Sequence, residues 1–237
     1  MEDKGLGLFL EEQGWKLSGR QLQLLSAYAR LLLKRNRELN LTAVTEEQEV
    51  WRKHFLDSLL LFVALEVPPG ARVVDVGSGG GLPGMVLKIY RPDLEVTLVE
   101  GTRKKAEFLS AAIRELGLEG IRCVWARAEV VGRQEEFRER FDLATARAVA
   151  DLAVVLEYCV PLVRVGGRVV AYKGPRADEE IEGAARALAM LGAEVERVWQ
   201  GRLPGGGEER RLVVVVKRAG TDPRWPRRPG IPEKRPL

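Results

Sequence analysis

"VVDVGSGGGLPGMVLKI", residues 73–89, runs from a short β-branched stretch through Asp75 into a turn holding Gly77, Gly79, Gly80, Gly81 and Gly84, and leaves in helix-forming sequence. Strand, glycine turn, helix is the order in which backbone N–H groups approach a ligand closely, because no side chain stands where the ligand must lie. The spacing Gly77-x-Gly79-x-Gly81 departs from the G-x-G-x-x-G of dinucleotide turns, although the interval from Gly79 to Gly84 leaves some ambiguity. Asp75 decides between them. A carboxylate just before the first glycine repels a pyrophosphate but suits the cationic ammonium and sulfonium of S-adenosylmethionine (SAM). Asp75, Gly77, Ser78 and Gly79 are therefore candidate cofactor residues, and Pro83 fits a helix that starts late.

Glu100 ends the next apolar run, "LEVTLVE", where Rossmann-type folds place an acid on ribose hydroxyls; SAM and NAD share that need. Ala128 and Glu129 in "WARAEV" follow a third run, where backbone and an acidic side chain would bracket an adenine. Hydride transfer is disfavoured internally. Short-chain dehydrogenases need a Tyr with a Lys four residues on, whereas Tyr28, Tyr90, Tyr158 and Tyr172 are followed at that spacing by Leu32, Leu94, Leu162 and Arg176.

Outward from the turn, residues 1–67 read as a helical N-terminal lobe. Ser18 is positioned to cap a helix with Leu22, Leu25, Ala29, Leu32 and Leu33 on one face, and Thr45 with Gln48 reads as a capping box before "VWRKHFLDSLLLFVAL". Residues 68–218 read as the catalytic core. Candidate strands at 72–76, 95–99, 121–125, 141–145 and 168–172 alternate with helical segments, which implies right-handed βαβ crossovers and a parallel sheet covered on both faces. "AEVERVWQG" and "RRLVVVVKR" flank "RLPGGGEE" as an antiparallel hairpin. The predicted fold is α/β: a Rossmann-like class I SAM-dependent methyltransferase with a mostly parallel seven-stranded sheet ending in that hairpin.

With 237 residues, 46% apolar and 30% charged, the chain suits one soluble domain with an extra lobe. The longest apolar run, Leu59 to Leu65, is too short to cross a bilayer and no secretory leader is apparent, so a cytoplasmic, monomeric protein without a membrane partner is expected. Cys123 and Cys159 lie in apolar surroundings as reduced thiols, and with a single histidine they supply no metal cage. The net charge of +4 is concentrated at the end, where Lys217, Arg218, Arg224, Arg227, Arg228, Lys234 and Arg235 face only Asp222 and Glu233. Residues 219–237 form a basic tail whose prolines predict neither helix nor central strand. Either this tail is solvated and disordered, or Trp225 among its arginines stacks on bases and Arg227 and Arg228 lie along a phosphate backbone.

The methyl acceptor is constrained by what is missing. "FDLATARAVADL" carries neither the Asn/Asp-Pro-Pro-Tyr of amino-directed enzymes nor the cysteine of carbon-5 pyrimidine enzymes, but places Arg147 there. Guanine N7 is compatible, because its lone pair attacks directly and no proton is lost; arginine suits the O6/N7 edge or a phosphate.

"NLTAV", "KHFLDSL", the glycine turn, "TRKKAEFL", "RAE", "ATARAVADL", "AYKGP" and "WPRRPGIPEKRPL" occur in the order and spacing of the RsmG (GidB) family, which the chain resembles over nearly its whole length. The resemblance implies a SAM-dependent methyltransferase acting on N7 of a guanine in the 530 loop of 16S ribosomal RNA, by direct attack on the sulfonium methyl. It implies cofactor contacts at Gly77, Leu82, Glu100, Gly101, Thr102, Ala128, Glu129 and Arg147. Leu82 stands where members often have an aromatic residue, and Glu100 where they often have Asp. His54 and Asp57, three apart on one helical face, are candidates with Arg147 for the catalytic mouth. Arg103 and Lys104, opening a helix against its dipole, Lys173 at a strand end, and Arg211 beside Arg210 complete the candidate RNA contacts with Arg227 and Arg228. Two rival readings remain: a SAM-dependent enzyme of a small molecule or protein, and a non-catalytic RNA-binding assembly factor. The basic tail opposes the first, and Asp75, Gly77, Gly79 and Glu100 oppose the second.

Overall fold

The computed structural model describes residues 16–203 and 209–237. Seven strands, β1 (Arg72–Val76), β2 (Glu95–Glu100), β3 (Ile121–Trp125), β4 (Phe141–Arg147), β5 (Val163–Lys173), β6 (Ala193–Arg202) and β7 (Glu209–Lys217), form one sheet. Their order is β3-β2-β1-β4-β5-β7-β6. The pairs from β3 through β5 are parallel, while β7 is antiparallel to both β5 and β6. The expected hairpin strands thus pair; most of the expected turn between them, at 204–208, lies outside the described residues, as does the start of the N-terminal lobe.

Continuous apolar runs become strands here because both faces are covered. Along β7, Leu212 and Val214 enter one core while Val213 and Val215 enter the other. The first core holds the N-terminal helices together with α5 (Gly84–Tyr90) and α6 (Arg103–Glu115). The second holds α7 (Ala128–Val131), α8 (Leu152–Cys159), α9 (Ala177–Gly183), α10 (Ala185–Leu191) and, unexpectedly, Trp225. Strands β4 and β5 exceed their expected bounds. A register shift between Phe141 and Leu143 lets Phe141 pair with Val163, well before the expected start of β5.

Helix α1 (Gly19–Leu39) begins at Ser18, whose hydroxyl accepts from Gln21 N while the Gln21 amide oxygen accepts from Ser18 N. Leu25, Ala29 and Leu32 are buried as expected, joined by Tyr28, which stacks on Phe55 and donates to Gly80 O. The expected capping box at Thr45 is not formed. Helix α2 (Glu47–Val50) starts after Glu46 with no side-chain cap, because the preceding loop is tied down earlier, by Asn36 Oδ1 on Thr42 N and Thr42 Oγ1 on Val44 N. The helix continues as a π-helical run, Trp51–Leu56, then α3 (Asp57–Leu59) and α4 (Leu61–Ala64). Such π turns recur at functional sites, and this one carries His54 beside Asp57.

The tail corrects two expectations. It is folded against the second core, and it contains a short helix, α11 (Ile231–Lys234), with Pro232 in its first turn, where proline's missing N–H costs nothing. Arg138 holds it in place, donating to Gly132 O, Trp225 O, Thr221 O and Asp222 O. Trp225 is 5% exposed and packs in the core. It is not a stacking platform for bases.

Candidate active site

The glycine turn sits at the carboxyl end of β1, the edge where open α/β sheets bind ligands. Gly77 N and Ser78 N both donate to Val99 O, and the Ser78 hydroxyl donates to Asp75 O, so Ser78 secures the turn. Gly77 has φ +71°, and a Cβ there would come 2.7 Å from Val149 Cγ2. Only glycine permits this approach, because Ala148, itself left-handed at φ +55°, folds the loop after β4 back onto the turn. Asp75 corrects the electrostatic expectation. It is fully buried, accepting from Thr145 Oγ1 at 2.9 Å and from Gly84 N at 3.2 Å, and burial raises its carboxyl to about 6. Asp75 thus stands behind the turn and anchors it to β4 and α5.

Glu100 spans two loops. Its Oε2 accepts from Gly79 N at 2.8 Å and its Oε1 from Thr102 N at 2.7 Å, leaving each oxygen a lone pair for a hydroxyl. Beside it opens a cleft of about 140 Å³ lined by Gly77, Gly101, Ala128, Glu129, Val149 and Tyr158. These residues come from the carboxyl ends of the first four strands and from α8. Leu82 is buried in the first core instead. Glu129 has a partner that the sequence did not suggest: its Oε1 accepts from Gly230 N at 2.8 Å, and Arg127 pairs with it. Glu233 of α11 also lines the cleft and accepts from the Tyr158 hydroxyl. The tail therefore forms one wall of this cleft. Tyr158 and Glu233 were illegible in sequence, because neither lies near a strand end in the chain.

At the other side of the turn, Arg147 brings the three expected catalytic residues together. Its guanidinium donates to Asp57 Oδ2 at 2.9 Å and to His54 Nδ1 at 3.3 Å. Asp57 is 4% exposed, and its other oxygen accepts from Arg210 Nε at 2.8 Å, so one carboxylate bridges the ends of β4 and β7. Arginine only donates, so His54 Nδ1 is the acceptor and Nε2–H donates to Thr42 Oγ1 at 2.6 Å. Burial first, then the Arg147 cation, lower the His54 imidazole from 6.5 to about 4. It is neutral at physiological pH with both ring nitrogens bonded.

The chain has one histidine, so its ring resonance needs no assignment. By NMR the imidazole will titrate near pH 4, and Arg147→Ala will move the midpoint upward. A wild-type midpoint near 6.5 would place the ring in solvent and dissolve the cluster.

The expected RNA contacts divide. Lys173 corrects its expected role: it donates to Ala150 O at 2.6 Å and pairs with Glu180, bracing the loop after β4. Arg211 pairs with Asp178 and Glu209, and Arg227 forms a bidentate pair with the fully buried Glu157. Their head groups are held by protein partners, because each sits opposite an acid on a packed neighbour. Arg103 is exposed, pairs with Glu107 and lies over the exposed ring of Trp125; Lys104 and Arg228 are exposed. Cys159 is buried and burial raises both thiols, Cys123 to about 11. Among the described residues there is no group of three or more His, Cys, Asp or Glu suited to a metal ion, and no helix long and apolar enough to cross a membrane.

The arrangement resembles known proteins at two levels. A mutant of MtNAS solved in complex with S-adenosylmethionine superposes with TM-score 0.55 at 20% identity, over 81% of this chain and 73% of that one. Precorrin-6y C5,15-methyltransferase from Geobacter metallireducens gives 0.51 at 11% identity, over 68% and 87%. At these identities only the fold is shared. Sequence relatives are far nearer. Ribosomal RNA small subunit methyltransferase G of Moorella thermoacetica is 52% identical over 235 residues, covering 99% of this chain and 98% of that protein. The protein of the same name from Carboxydothermus hydrogenoformans is 45% identical over 237 residues, covering both chains completely. The family model GidB, rRNA small subunit methyltransferase G, matches residues 21–212, spanning the glycine turn, the Arg147 cluster and the sheet as far as the start of β7. With its methyltransferase-type sheet and near-complete alignment to these relatives, the chain belongs to the GidB family of rRNA small subunit methyltransferases.

Proposed function

We propose that the chain methylates N7 of a guanine in the 530 loop of 16S ribosomal RNA, with SAM as methyl donor. The observation carrying this reading is the Arg147 cluster, which lies beside the glycine turn yet contains no free base or nucleophile. Asp57 is bridged by two arginines, and His54 has both nitrogens bonded. Such a site suits an acceptor that keeps no proton at the reacting atom; guanine N7 is one, its product being cationic.

The residues present fit SAM. A side chain at Gly77 would fill the cleft wall, Glu100 retains acceptor capacity for ribose hydroxyls, and Ala128 and Glu129 border the space for an adenine. Gly77, Gly79, Gly101 and Thr102 would supply backbone contacts. When bound, SAM supplies an electrophilic methyl on a sulfonium. Arg147, fixed by Asp57 and His54, orients the guanine edge or a neighbouring phosphate, and Val149 and Tyr158 exclude water. Arg103, Lys104 and Arg228 remain available for RNA phosphates.

Incubation with labelled SAM and small-subunit rRNA from cells lacking this protein tests the reading. Label recovered as 7-methylguanosine in the 530-loop fragment is the expected result. Label at another nucleotide, or only on protein or a small molecule, would overturn the acceptor assignment. RNA binding without transfer, on naked rRNA and on intact subunits alike, would favour the non-catalytic assembly factor.

A further inference from the structure

The proposed function makes no use of "NLTAV", yet the segment lies against the glycine turn. A Cβ at Gly80 would approach Leu41, and the Thr42 hydroxyl bonds His54. Beyond it, α1 and this loop enclose a groove of about 650 Å³. Arg30, Lys34 and Arg37 line it, one and then roughly another turn apart on a single face of α1. All three are exposed, and among the described residues none has an ion-pair partner and no acidic side chain lines the groove. Neighbouring Arg35 differs, being paired with Glu38 and outside the lining.

Three exposed cations on one face, with Asn40 and Thr42 also lining the groove, make a surface for a polyanion with regularly spaced charges. The groove also ends at the reaction edge, since Thr42 lines it and connects through His54 to Arg147. We infer that this groove is a substrate-docking site, in which the sugar–phosphate backbone of the rRNA strand entering the active site runs along Arg30, Lys34 and Arg37. The inference rests on the rRNA reading above and extends it to residues that no strand-end motif marks. Arginine and lysine here contact phosphates, so they set affinity and register and not the choice of base.

Full-length Arg30→Gln, Lys34→Gln and Arg37→Gln, singly and together, will be compared with wild type for binding to a small-subunit rRNA fragment at several salt concentrations. Each lost phosphate contact lowers the magnitude of the log–log salt slope by about 0.7 to 0.9. The triple variant will therefore lose about two to three units of slope, with KM for RNA raised at least tenfold while SAM affinity and kcat at saturating RNA are retained. Arg35→Gln is the control and leaves the slope unchanged. Equal loss from Arg35→Gln would make the effect one of general charge and overturn the groove. Wild-type slope and KM in the triple variant would overturn the groove alone. A wild-type chain that binds no rRNA would overturn the underlying reading and the groove with it.

Discussion

Arg147→Ala lowers kcat for methyl transfer to rRNA by roughly 10²- to 10³-fold, the loss typical when one preorganised donor is removed from a reaction site. The residue is 13% exposed, it ends β4 at the ligand-binding edge, and its position is set by two partners on a different layer. The fold persists, because Asp57 keeps Arg210 as a partner and loses only one of two charge-assisted hydrogen bonds. Equilibrium dialysis separates the causes. SAM affinity close to wild type with collapsed turnover puts Arg147 on the acceptor, whereas a matching fall in SAM affinity puts it on the cofactor. Arg147→Lys does not restore activity, since an ammonium cannot reach Asp57 and His54 from one planar fork. Near-normal turnover in Arg147→Ala would remove it from the site.

The second large effect concerns stability and arises in the tail. Arg227 makes its bidentate pair with Glu157, which is fully buried on α8, and also stacks over Trp225 at 5.5 Å. Removing one partner of a buried pair leaves an uncompensated charge, so Arg227→Ala costs about 3–5 kcal/mol. For a chain of this size that corresponds to a fall in Tm of about 10 °C. Glu157→Gln in the same chain recovers part of the loss, because the group left behind is then neutral. Scanning calorimetry of wild type, single and double variants checks this. A single-variant shift within 2 °C of zero would mean that the tail is not held by this pair.

Periodicity and turn chemistry act over a few residues, and they were enough to place all five parallel strands, the closing hairpin strands and the capped start of α1. The glycine turn with Glu100 was legible for the same reason, since a strand, an acid and glycines at short spacing constrain their own backbone. The pairing of charges is not local. Arg147 meets Asp57 across 90 positions, Arg227 meets Glu157 across 70, and Gly230 meets Glu129 across 101. In composition the tail is indistinguishable from a solvated basic segment, and whether its arginines stay in water depends on acids buried elsewhere.

From the sequence by itself came the class of fold, the family resemblance, the glycine turn and the identity of the residues at its rim. The tertiary structure alone decided which protein partners those residues take. Asp75 turned inward because Thr145 and Gly84 lie beneath it, and Lys173, Arg211 and Arg227 were taken up by acids on packed neighbours. A side chain's type limits the bonds it can make, but the partner that satisfies it at lowest free energy exists only once distant strands and helices have been brought together.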